Sequence, residues 1–196
     1  IDTKALGGDG ELHRAGQPGI DHGGNPHTWH ATTMRYRDQP TIEVTQRVGC
    51  DVATAWGFVT DITLPARCSA ELQSVEWLDG ADHVEVGARF RGRNKNDAIG
   101  DWETVCEVVE VEDQRRWVWN VLGHESAIAS WGFEVEPASD GALIRQWARM
   151  GPGPSGLNIG IAAQPDKEAR IVARRLSEWQ HNMQANLDWI RSQVEG

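Results

Sequence analysis

The strongest constraint on this chain is an apolar stripe near its C-terminus. Val172, Leu176, Trp179, Met183, Leu187, Ile190 and Val194 recur at steps of four, three, four, four, three and four. That spacing holds them on one face of an α-helix for about seven turns. Pro165 suits the first helical position, and Asp166 and Glu168 suit the positive end of the helix dipole. Arg170, Arg174, Arg175, Glu178 and Arg191 fall mostly off the stripe. One helix cannot bury such a face against itself, so the stripe demands a second layer.

The preceding sequence supplies that layer. Thr41–Val48 spaces Ile42, Val44 and Val48 as a half-buried strand does. Asp51 is placed to cap a short helix whose apolar face is Val52, Ala55, Trp56 and Val59. Leu64-Pro65 ends it, and a turn or short helix runs to about Ala70. Strand patterns then recur at 72–78, 84–93, 102–111, 116–122, 129–136 and 142–150, with Asp79-Gly80 and Ser139-Asp140-Gly141 among the turns. Short strands at this spacing favour an antiparallel meander. The order predicts an α+β fold in which a curved antiparallel sheet takes the last helix on its concave face, with short helices after the first strand. Such a sheet does not close on one helix along its whole length, and the space left between them is a natural ligand site.

The chain of 196 residues suits one domain with a tail. Residues 1–40 read as a disordered or loosely attached Gly/His-rich tail, and 41–195 as the folded domain. The first 33 residues hold seven Gly and four His with neither helical nor strand period. Met34 is the first methionine, and a native start there, with an appended segment before it, is the expectation.

Charge and motif content narrow the function. A net charge of −10 without a basic stripe disfavours nucleic acid. Arg89, Arg91, Arg93 and Lys95 alternate, which reads as the solvated outer face of a strand. No run approaches the length of a membrane-spanning helix. Three widely spaced cysteines (Cys50, Cys68, Cys106) without a CxxC pair favour neither a disulfide framework nor a zinc site. With no visible secretory signal, a reducing cytoplasm is the expected location. Residues 151–156 match GxGxxG, but two positions are Pro, which has no N–H to offer a pyrophosphate, so a stiff turn is expected there. The segment 156–163, small and apolar, is placed to cover a cavity mouth. His22, His27 and His30 lie in the tail without acidic or Cys partners. No metal and no cofactor are expected.

Tryptophan is the outlier, with ten Trp against one Tyr and three Phe. Such a set makes either an aromatic core or an aromatic-lined cavity. If Trp102, Trp117, Trp119 and Trp131 face inward, then Thr104, Cys106 and Phe133 share their faces, and Asn94 is an inward polar group. On the last strand, the face of Ile144, Gln146, Ala148 and Met150 is taken as inward. The opposite face of Leu143, Arg145, Trp147 and Arg149 stays an open alternative. Trp179 and Met183 face the same space from the helix. Glu71, Gln146 and His124 are the candidate acid, base or amide groups, although no residue is singled out as catalytic. Tyr36 lies near the tail and is not expected in the cavity.

On Ile42-Glu43-Val44, residues 51–61, 71–77, 86–90 and 102–108, and the long last helix, the chain resembles the START-like (SRPBCC) superfamily. That group includes bacterial polyketide cyclase/dehydrase proteins, birch-pollen-type allergens and lipid-transfer START domains. The resemblance spans about 41–195. It implies a helix-grip fold, with seven antiparallel strands wrapped around the C-terminal helix and a hydrophobic cavity between. It also implies binding of a lipid, polyketide or other apolar molecule, with cyclisation or dehydration in some members. The expected partner is therefore a hydrophobic small molecule, with a homodimer left open. The rival reading is a non-enzymatic carrier, sensor or protein-interaction module with a filled core.

Overall fold

A computed structural model of the protein describes residues 34–97 and 100–196. Seven strands form one sheet: β1 (Thr41–Val48), β2 (Leu72–Trp77), β3 (Arg89–Asn96), β4 (Gly100–Glu112), β5 (Arg116–Val121), β6 (Ala129–Ala138) and β7 (Gly141–Met150). Their order is β1-β7-β6-β5-β4-β3-β2, with every neighbouring pair antiparallel. The expected meander therefore runs from β2 to β7, and β1 closes against β7. Irregular register between Leu72 and Ser74 and between Val108 and Glu110 marks places where the sheet bends.

Two short helices, α1 (Val52–Val59) and α2 (Leu64–Cys68), follow β1. The Asp51 carboxylate caps α1, accepting from the Thr54 amide at 2.7 Å. After β7 come α3 (Gly156–Ala163) and the long α4 (Glu168–Glu195). On α4, Val172, Leu176, Trp179, Met183, Leu187 and Ile190 are buried, while Val194 is half-buried. Each of these side chains contributes roughly 1.5–3 kcal/mol through burial, and together they hold α4 in the grip of the sheet.

Several boundaries differ from the sequence reading. β3 begins at Arg89 rather than 84, because Gly87 takes a left-handed turn at φ +89° and Val86 is exposed. Pro165 opens a 3-10 turn (Pro165–Lys167), and the α-helix proper starts at Glu168. The segment after β7 is a capped helix: Ser155 Oγ accepts from the Leu157 amide at 3.3 Å, and Asn158 Oδ1 accepts from the Ser155 amide at 2.7 Å. Of the expected tail, residues 1–33 and their histidines lie outside the described residues. Residues 34–40 are packed on the domain, with Tyr36 buried. The alternating basic residues of β3 do face outward, where Arg89 meets Asp79, and Arg91 and Arg93 meet Glu76 and Glu103. Among the described residues no helix is long and apolar enough to cross a membrane.

Candidate ligand-binding cavity

Strand register sets the inner wall row by row. Val44, Gln146, Phe133 and Trp117 stand opposite one another across β1, β7, β6 and β5. The next inward row is Ile42, Ala148, Trp131, Trp119 and Val108. A third runs Met150, Ala129, Val121, Cys106 and Phe90. Ile144, Gln146, Ala148 and Met150 are each at most 2% exposed, which places that face of β7 inward. Trp147 points the other way. It lies over Gly132, where a Cβ would come within 2.6 Å of its ring, and under the Arg116 guanidinium at 5.5 Å.

Between these rows and α4 lies a cavity of about 750 Å³. Its floor is a bank of aromatic rings: Trp117 stacks on Trp119 with centroids 4.3 Å apart, Trp119 on Trp131 at 6.3 Å, and Trp117 on Phe133 at 6.2 Å. Trp179 of α4 leans on Trp131 at 4.9 Å. The Trp117 indole donates to the Val59 carbonyl at 3.0 Å, tying the floor to α1. The indole N–H groups of Trp119, Trp131 and Trp179 meet no acceptor among the described residues. Val59, Ile62 and Pro65 add wall from the α1–α2 region, and Leu157 adds it from α3. Exposed Leu122 and Glu103 also border the space, so it reaches the surface.

The structure brings together on this wall all of Trp102, Thr104, Cys106, Trp117, Trp119, Trp131, Phe133, Asn94, Gln146, Trp179 and Met183. Asn94 and Thr104 meet across β3 and β4, with Nδ2 donating to Oγ1 at 3.3 Å. Glu71 also reaches the cavity, but Arg175 grips both its carboxylate oxygens at 2.5 Å. His124 stands apart, in the exposed loop between β5 and β6.

Other wall residues were not foreseen. Tyr36 lines the cavity, contrary to its expected place near a tail, because the turn at Tyr36–Asp38 folds its ring inward. Its hydroxyl donates to the carbonyls of Gly153 at 2.7 Å and Ile128 at 3.2 Å. Arg175, expected off the stripe, sits at its margin and turns inward with its side chain 11% exposed. Asn186 is buried on the stripe itself, and Asp61 lines the wall near α2. Asn186 had a visible signal, since it falls seven residues after Trp179 on an otherwise apolar face.

Burial pushes the Cys106 thiol up to about 12 and raises Cys68 and Tyr36 too. Burial works to raise Asp61, but bonds from the Thr63 hydroxyl and amide and the charge of Arg67 prevail and hold it below the ordinary carboxylate range. No described cluster of three His, Cys, Asp or Glu side chains is placed to hold a metal.

A seven-stranded antiparallel sheet gripping a C-terminal helix around an apolar hollow defines the helix-grip class. The chain belongs to the polyketide cyclase / dehydrase and lipid transport family, whose pattern matches residues 39–189. It is similar to a polyketide-cyclase-like protein of Corynebacterium glutamicum, solved by solution NMR: 25% identical, covering 79% of this chain and 91% of that one, with a TM-score of 0.55. The fold is shared with BexL, a di-domain ARO/CYC of the BE-7585A biosynthetic pathway: 15% identical, TM-score 0.61, covering 81% of this chain and 50% of BexL. This chain therefore spans about half the length of that di-domain protein. Ara h 8.0201 also shares the fold, at 15% identity and TM-score 0.51, covering 78% of this chain and 98% of that one. No curated protein matched the sequence.

Proposed function

We propose that the protein binds a hydrophobic small molecule (a polyketide, lipid or aromatic compound) between its sheet and α4. The observation that carries this reading is the cavity of about 750 Å³ floored by stacked Trp117, Trp119, Trp131 and Phe133. A flat apolar ligand gains about 25 cal/mol per Å² of buried surface there, before the entropic cost of association. Stacking on the indoles adds about 0.5–1.5 kcal/mol per ring pair.

Native mass spectrometry of protein purified from its host tests whether an apolar molecule travels with it. Tryptophan quenching with a polycyclic aromatic probe gives the affinity. Trp119→Ala and Trp102→Ala are each expected to weaken binding by roughly tenfold, equivalent to about 1.4 kcal/mol. Unchanged affinity in both variants would remove the aromatic wall as a binding surface.

Cyclisation or dehydration of a bound carbonyl compound is the second reading, favoured by family membership. The wall would then act chiefly by holding a flexible chain in a reactive fold. Incubation with a linear poly-β-ketone thioester, followed by chromatography for a cyclised isomer and mass analysis for loss of water, separates catalyst from carrier. A carrier returns the linear compound unchanged.

A further inference from the structure

One polar side chain on the cavity wall is 2% exposed yet leaves part of its hydrogen-bonding capacity unused: Gln146. Its Oε1 accepts from Asn186 Nδ2 at 3.1 Å. Its Nε2 meets no acceptor among the described residues, and it is not sealed within the packed core. The amide nitrogen therefore borders the hollow. A donor that a bound ligand covers without offering it an acceptor costs about 1–3 kcal/mol, so a ligand with an acceptor at this point is favoured.

The orientation of this amide is set from behind. Cys68 Sγ lies 3.1 Å from Asn186 Oδ1 and 3.3 Å from the Leu64 carbonyl. The thiol has one hydrogen for these two carbonyl oxygens; given to the nearer, Asn186 Oδ1, it leaves the Asn186 nitrogen facing Gln146, as the structure shows. Gln146 must answer with its oxygen, which leaves its nitrogen for the cavity. Three residues from α2, α4 and β7 thereby fix the polarity of one point on the wall. That point stands beside Phe133 on the neighbouring strand, with Trp117 one strand further on. An anion there gains little from Arg175, which is already engaged by Glu71 and Glu178.

We propose that Gln146 is a specificity-determining donor and that the ligand is a flat aromatic ketone or quinone whose neutral carbonyl oxygen accepts from Gln146 Nε2. Asn186 and Cys68 are positioning residues that act through it. This rests on the cavity-binding reading above and narrows it to one chemical class.

The probes are 9-fluorenone and fluorene, which share a tricyclic skeleton and differ at the carbonyl. The protein is expected to bind the ketone at least tenfold more tightly and to shift its C=O stretch to lower frequency. Gln146→Leu is expected to bring the two affinities within twofold of each other and to abolish the shift. Cys68→Ser keeps a donor and keeps the preference. Cys68→Ala frees the amide pair to occupy two orientations. With each half-populated, the ketone Kd rises about twofold, and a free carbonyl band appears beside the bonded one. Failure to bind either probe counts against the cavity-binding reading itself. Equal binding of both by the wild type, or a preference kept by Gln146→Leu, overturns the donor assignment and leaves the cavity reading standing. Should Gln146→Leu not fold, Gln146→Met, similar in length and without a donor, decides the point: a lowered carbonyl frequency kept in that variant overturns the assignment, whereas one unchanged band in Cys68→Ala overturns only the positioning role of Cys68.

Discussion

Cys106 shows how burial silences a thiol. Its thiol, enclosed among Phe90, Val121 and neighbouring wall residues, is pushed up to about 12 from an ordinary 9.0. It is expected to resist iodoacetamide at pH 8 in the folded protein, as mass mapping would show. The same burial predicts a stability profile. The unfolded thiol loses its proton near pH 9 and the folded one only near 12, so the unfolded state is favoured increasingly as pH rises through that window. The site's contribution is whole below pH 9 and falls away above it by about 1.4 kcal/mol per pH unit. Urea unfolding at pH 9 and 10.5 is expected to show about 2 kcal/mol less loss for Cys106→Val than for the wild type. An equal loss in both would mean that Cys106 ionises as freely folded as unfolded.

At the scale of elements, the pair Glu71–Arg175 joins the approach to β2 to the second turn of α4. The side chains are 14% and 11% exposed, and Arg175 also lies over the Trp179 ring at 5.5 Å. Burial disfavours the charged guanidinium, but its bonds and charge pairing with Glu71 and Glu178 prevail, so it stays charged. Removing one partner strands a charge at the cavity edge. Arg175→Met is expected to cost about 3 kcal/mol, and the double variant Glu71→Leu/Arg175→Met to recover most of it, read from urea midpoints. A double variant as unstable as the single would show that Arg175 acts through packing on Trp179 instead. The short α3 stands at the other extreme, for none of its residues is buried and Ile159 is 77% exposed. Its amides are expected to exchange with deuterium faster than those of α4, and to slow when Leu157 gains a ligand to pack against.

For the whole molecule, the hollow is a deficit in packing that a ligand makes good. A probe at one hundred times its Kd stabilises the native state by about 2.7 kcal/mol, which for a domain of this size is a rise of about 5–10 °C in melting temperature. Trp119→Ala at the same probe concentration is expected to lose most of that rise. A wild-type melting temperature unmoved by saturating probe would mean that the folded and unfolded chains bind it equally.

The large outline of this architecture was legible because it is written in local periods. The stripe from Val172 to Ile190 and the alternation of Trp102, Thr104 and Cys106 each report one element's buried face, and consecutive short strands pair with their neighbours. The direction of the β7 face was ambiguous in one dimension, since Trp147 is as hydrophobic as the side chains opposite it. Gly132 on the neighbouring strand settles the matter by leaving room for that indole on the outer face. Likewise, no period in the sequence joins Tyr36 to Gly153, Glu71 to Arg175, or Cys68 to Asn186 and Gln146. These partners lie far apart along the chain, and their meeting depends on strand register and on the angle at which α4 crosses the sheet. Local chemistry chose the elements and which side of each is apolar. The polarity of individual points on the cavity wall came from contacts that exist only once those elements are packed.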